Sequence, residues 1–100
     1  MAITVKDRIK QLRRQMIVHS CLYYRLNTNL ISDFDYDSRA KELAFLHKKF
    51  PQYMKIGVYD EYFTDWVAGE ATTYSGFKLP INDPQIIAIA ERLTHDSGVR

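Results

Sequence analysis

A single cysteine, Cys21, rules out an internal disulfide, and without a second cysteine there is no knuckle to hold a zinc ion. No apolar run approaches the roughly 20 residues that cross a bilayer, and the stretch from Met1 to Arg14 is charged and lacks the apolar core of a secretion signal. Neither a membrane span nor a leader is expected, and the cytoplasm is the expected location. Internal repeats, low-complexity tracts and linkers rich in Gly, Ser or Pro are also missing. Net charge is scarce too. The formal balance of +2 is too small for the electrostatic footprint of a nucleic-acid binder, so direct DNA binding is not expected.

What is present fits one folded unit. A chain of 100 residues with 46% hydrophobic content has room for a single modest core and is too short for two ordinary domains. A charged fraction of 26% separates it from disordered chains. The charge is uneven along the sequence: Lys6, Arg8, Lys10, Arg13, Arg14 and Arg25 come early, and Asp33, Asp35, Asp37, Asp60, Glu61 and Asp65 follow. Lys6, Lys10, Arg13 and Arg14 recur at helical spacing and read as a solvated basic stripe beside an apolar one.

That apolar stripe runs through Val5, Ile9, Leu12, Met16, His19 or Ser20, Tyr23 and Leu26, in steps of three and four, and predicts a first helix over 5–26. Asn27, Thr28 and Asn29 break it with short polar side chains that compete for the backbone. Ser32 then reads as an N-cap, with Asp35 three residues on and Ile31 placed to staple onto Tyr36, so a second helix is predicted over 32–50, stopped by Pro51. Tyr59, Tyr62, Phe63, Trp66 and Val67 suggest an aromatic helix over 58–68 that Gly69 ends. The composition of 71–80 favours an extended or irregular crossing. Asn82-Asp83-Pro84 opens a last helix over 83–95, whose apolar face is Ile86, Ile87, Ile89, Ala90 and Leu93. The expected fold is all-α: a helical hairpin covered by two short helices, with 1–100 as a single domain.

The short turn brings His19, Tyr23 and Tyr24 at the end of the first helix beside Asp33, Tyr36 and Asp37 at the start of the second. Asp33, Tyr36 and Asp37 stand at i, i+3 and i+4, so two carboxylates and a phenol share one face and the like charges repel. The helix dipole helps Asp33 more than Asp37, which leaves room for a cation: an arginine such as Arg25, or a bound pyridinium against a tyrosine face. Each residue also has a plain structural role available, Tyr36 as the staple, Asp33 as part of the helix start and Tyr23 as core on the Met16 stripe. His19 lacks an adjacent nucleophile and reads as a positioning residue, and Cys21 has no visible base partner.

The string His19-x3-Tyr23-Tyr24, followed by Ile31-Ser32-Asp33-x2-Tyr36-Asp37 and by Glu42-Leu43, resembles the amino-terminal domain (domain Ia) of bacterial NAD-dependent DNA ligases. The similarity runs from about Ile9 to Phe50-Pro51, which looks like that family's His-Pro pair, and covers roughly half the chain. The resemblance implies a helical domain that holds the nicotinamide mononucleotide half of NAD, with Tyr23, Tyr24, Asp33, Tyr36 and Asp37 in contact with it. The Tyr24 position is histidine in some members of the family and tyrosine in others.

The Lys-x-Asp-Gly string that carries the family's nucleophilic lysine does not occur, and Lys6-Asp7-Arg8 does not match it. The zinc-binding cysteines and the helix-hairpin-helix region are also missing, so the chain is not expected to act as a ligase on its own, and no metal is expected. From Tyr53 onward the sequence departs from the family, dividing the domain into a ligase-like hairpin over 5–51 and a divergent helical extension over 52–100. Trp66, Phe63, Tyr62, Ile86, Ile87 and Ile89 are expected to cover the hairpin, as in a standalone protein.

Three function classes follow. The first is a non-catalytic module holding NAD or nicotinamide mononucleotide. The second is a protein-interaction module, an accessory of a phage or mobile element, that kept the hairpin and lost the ligand, with a ligase catalytic domain or a replication protein as partner. The third, an enzyme cleaving nicotinamide nucleotides, has only Asp33 and Asp37 as candidate groups. A side chain such as Trp66 or Phe77 plugging the hairpin mouth would count against the first.

Overall fold

The computed structural model describes residues 3–28, 30–64, 66–67 and 79–96. Three α-helices carry the fold: α1 (Val5–Tyr24), α2 (Asp33–Lys49) and α3 (Pro84–Asp96), with no strand among the described residues. The all-α expectation holds, and the ends of all three helices fall within two residues of the predicted ones.

Local chemistry sets those ends. The Thr4 hydroxyl accepts the Asp7 N–H at 3.1 Å and starts α1. After Arg25 caps that helix, Asn27 turns left-handed (φ 53°), as its short side chain tolerates, and the Thr28 N–H reaches back to the Leu22 carbonyl at 2.9 Å. Ser32 is the N-cap of α2, its hydroxyl accepting the Asp35 N–H at 3.0 Å. The chain leaves α2 through a single 3-10 turn at Pro51–Tyr53. Asp83 accepts the Gln85 N–H at 2.8 Å and Pro84 opens α3, the arrangement expected of Asn82-Asp83-Pro84.

Helix α1 is the centre of the domain, because α2 packs on one side of it and α3 on another. Its buried surface is therefore wider than one stripe. Ile9, Leu12 and Met16 are joined inside by Arg13, Ile17, Val18, Ser20, Cys21 and Leu22. Tyr23, expected on the stripe, is instead 52% exposed. Ala40, Leu43, Ala44 and His47 face inward from α2, and Ile86 and Ala90 from α3. No described helix is long and apolar enough to cross a membrane.

Two expectations are corrected. Arg13 does not lie on a solvated basic stripe: it is fully buried, beneath the segment that follows α2. The α-helix predicted over 58–68 is replaced by one 3-10 turn at Asp60–Tyr62. Both corrections have one cause. The Arg13 guanidinium donates to the carbonyls of Met54 (3.1 Å) and Val58 (2.7 Å) and to the Asp60 carboxylate (2.6 Å). The Val58 carbonyl is one a helix would have given to Tyr62. Asp60 in turn accepts the backbone N–H groups of Ile56 (3.1 Å) and Gly57 (2.9 Å), capturing the local backbone before it can propagate a helix. Gly57 and Tyr59 both turn into positive φ, at 78° and 56°.

The aromatic residues of this stretch do cover the hairpin, but by inserting as single anchors. Phe63 and Trp66 are buried with ring centroids 5.1 Å apart, and the Trp66 indole N–H donates to the Ala40 carbonyl at 3.0 Å. Tyr62 and Ile89, expected in the same cover, stay partly exposed. The irregular crossing over 71–80 lies mostly outside the described residues, as do Gly69 and Phe77.

Candidate functional site

The mouth of the hairpin contains a cavity of about 370 Å³ lined by His19, Tyr23 and Tyr24 of α1, Leu30, Ile31 and Ser32 of the turn, and Asp33, Tyr36 and Asp37 of α2. All five residues singled out from the sequence for ligand contact face this one space. The volume falls at the lower end of the range for small-molecule sites. Trp66 is not in its lining.

The two aromatic neighbours on α1 sit edge to face, with centroids 4.9 Å apart and ring planes at 87°. Tyr23 is 52% and Tyr24 44% exposed, which excludes a core role for either and leaves both side chains reachable from solvent. Tyr36 is different. It is half-buried against the core, and its hydroxyl shares a 2.8 Å hydrogen bond with that of Ser20, a fully buried residue of α1. Burial raises the Tyr36 pKa, so the phenol stays protonated. Ser20 is the residue the sequence reading passed over; as an alternative to His19 on the apolar stripe, it gave no signal of a hydroxyl aimed across the helix pair.

Asp33 and Asp37 are exposed on the first turns of α2. Arg25, the arginine considered as their partner, bonds Asn82 instead, at 2.9 Å. Asp37 pairs with Lys41 one turn on, at 2.9 Å, in an exposed i,i+4 bridge of the kind worth only about 0.3–0.5 kcal/mol. Asp33 makes no ion pair among the described residues. The rim of the cavity thus carries one carboxylate paired with Lys41 and one, Asp33, without an ion-pair partner among the described residues.

His19 stands in the cavity wall. Its Nε2 lies 3.5 Å from the Arg39 guanidinium, and its Nδ1 is the one buried side-chain nitrogen or oxygen among the described residues without a hydrogen-bond partner. Burial first, and then the Arg39 cation, lower its pKa, so the ring is held neutral. Cys21, one turn before Arg25, is buried, and that burial raises its thiol pKa, consistent with an inert core residue. No cluster of metal-ligating side chains occurs among the described residues.

Chemically, the arrangement offers tyrosine faces for a flat cation, two carboxylates as hydrogen-bond acceptors and a fixed phenol. Among the described residues, no nucleophile paired with a base lines the cavity.

Comparison with known proteins points the same way. Residues 2–57 match the family model described as DNA ligase-like, N-terminal NAD+-binding domain. Among curated proteins, the DNA ligase of Cytophaga hutchinsonii is 44% identical over 48 residues, covering 48% of this chain and 7% of that protein. The DNA ligase of Syntrophomonas wolfei is 41% identical over 68 residues, covering 68% of this chain and 10% of that protein, a match long enough to reach past the hairpin. The DNA ligase of Bacteroides fragilis is 43% identical over 51 residues, covering 51% of this chain and 8% of that protein. The chain thus spans a tenth or less of the length of these relatives. No solved structure matches it significantly. With more than half of its residues matched by the family model, the chain belongs to the DNA ligase-like family of N-terminal NAD+-binding domains.

Proposed function

We propose that this domain holds NAD through its nicotinamide mononucleotide half, as a binding module without chemistry of its own. The observation that carries the reading is the convergence of Tyr23, Tyr24, Asp33, Tyr36 and Asp37 on one cavity. A pyridinium ring is a flat cation. Against the exposed face of Tyr23 or Tyr24 it gains about 0.5–2 kcal/mol from the ring quadrupole. Asp33 and Asp37 accept hydrogen bonds from ribose hydroxyls or from the carboxamide NH2 group, strengthened by the ligand's charge. Tyr36, held by Ser20, presents its phenol in one orientation. A cavity of about 370 Å³ suits the mononucleotide half rather than the whole dinucleotide, so affinity for NAD and for nicotinamide mononucleotide should be similar and modest.

Titration calorimetry with both ligands tests this. Binding in the micromolar to millimolar range, abolished in Asp33→Ala/Asp37→Ala, is the expected result. The absence of heat at millimolar ligand, or an unchanged affinity in the double variant, sinks it.

A second reading is favoured by one observation. Phe34, at 78% the most exposed of the large apolar side chains among the described residues, projects from the first turn of α2 beside the cavity. A protein partner closing over the mouth would cover it. That partner is a ligase-type catalytic domain on this reading, recovered in a pull-down by wild type and the double aspartate variant but not by Phe34→Asp.

A further inference from the structure

His19 brings to the cavity wall a group that no contact among the described residues explains. A guanidinium only donates, so its approach to Nε2 assigns that nitrogen as the lone-pair side of the neutral ring and leaves the proton on Nδ1. That N–H then has no acceptor among the described residues, although a buried donor left unpaired is costly enough that nearly all are satisfied. The other buried imidazole, His47, shows what satisfaction looks like: its Nδ1 donates to the Trp66 carbonyl at 2.7 Å while Nε2 accepts from Arg13. His19 has the same acceptor side, to Arg39, and no acceptor for its donor side among the described residues, while its side chain forms part of the cavity wall.

We propose that His19 is a sixth ligand-contacting side chain, its Nδ1–H donating to an acceptor oxygen of the bound nicotinamide nucleotide. The inference rests on the nucleotide reading above. Nδ1 is sealed from water by its neighbours, so a small rocking of the ring toward the cavity accompanies binding. Little opposes it, because the 3.5 Å approach to Arg39 is the side chain's one polar contact among the described residues. The acceptor is a phosphate oxygen or an oxygen of the nucleoside half, and the two are separable with nicotinamide riboside, which lacks the phosphate.

The experiment compares nicotinamide mononucleotide and nicotinamide riboside binding to wild type, His19→Ala, His19→Asn and His19→Gln. The Asn amide reaches roughly where Nδ1 stands and the Gln amide where Nε2 stands. His19→Ala and His19→Gln should weaken mononucleotide binding about tenfold, with His19→Asn restoring most of it. Loss with both ligands places the acceptor on the nucleoside, and loss with the mononucleotide alone places it on the phosphate. Equal binding by wild type and His19→Ala, or rescue by Gln rather than Asn, overturns the proposal and leaves the nucleotide reading standing. Wild type that binds neither ligand removes both. Should a variant not fold, the 15N resonance of His19 Nδ1 in the wild type decides: it moves on saturation with mononucleotide, and a resonance that does not move overturns the contact.

Discussion

Two regions of this small domain use the same materials, charged side chains among aromatic rings, to opposite ends. Around Arg13 the guanidinium lies 5.5 Å from the Phe63 ring and bonds His47, Asp60, Met54 and Val58, while His47 also bonds Trp66. Every polar atom there is matched by the protein itself. At the hairpin mouth Asp33 and Asp37 face solvent, two tyrosines stay half-exposed, and a histidine N–H is left without an acceptor. A closed polar network fastens the segment after α2 to the hairpin. An unfinished one is what a binding site looks like before its ligand completes it.

The largest test of this contrast is Arg13→Met. It removes a buried charge and takes a donor from His47 Nε2, from the Met54 and Val58 carbonyls and from Asp60, and should cost about 3–5 kcal/mol in urea or thermal unfolding. Asp33→Ala/Asp37→Ala should change stability by less than about 1 kcal/mol while removing ligand binding. Comparable losses of stability from the two sets would erase the distinction between the regions.

Acid comes next. Burial lowers the His47 pKa to about 4 from an ordinary 6.5, outweighing the Trp66 carbonyl that favours its charged form. The folded state thus resists a proton that the unfolded chain accepts. The His47 contribution is complete above pH 6.5 and is lost as pH falls from 6.5 toward 4, by on the order of 3 kcal/mol. Asp60, held at about 2 by the Gly57 and Ile56 N–H groups and by Arg13 in spite of partial burial, adds a further loss as pH falls from 3.8 toward 2. Denaturant melts between pH 7 and pH 3 should show the first loss, and His47→Gln should flatten it.

Smaller effects sharpen the comparison inside the cavity. Tyr36→Phe leaves the buried Ser20 hydroxyl without its partner and should cost about 1 kcal/mol of stability along with a severalfold weaker affinity. Lys41→Ala, which breaks an exposed bridge to Asp37, should cost no more than about 0.5 kcal/mol and should not weaken ligand binding. A clear drop in affinity would instead assign Lys41 to the site.

The hairpin and its mouth were legible because their signals are local. Ser32 with Asp35, Asn27 before the second helix and Asp83-Pro84 before the last act within a few residues, and a short turn between two helices can bring only one pair of ends together. The region after α2 was not legible for the opposite reason. Aromatic residues at three- and four-residue spacing in 59–67 carry a helix's period, yet the backbone there answers to Arg13, more than forty positions away. A basic residue at helical spacing gives no sign that its charge will be buried, because burial depends on acceptors that only the fold assembles.

By itself, the sequence determined the all-α class, the ends of the three helices and the gathering of Tyr23, Tyr24, Asp33, Tyr36 and Asp37, since helical period and capping are written in neighbouring residues. Tertiary structure alone decided that Arg13 and His47 lie inside, that Trp66 anchors on Ala40 rather than closing the cavity, and that Ser20 holds Tyr36. Those outcomes depend on which donors and acceptors meet across distant stretches of chain once water is excluded. The same exclusion left one histidine N–H at the hairpin mouth with no partner among the described residues.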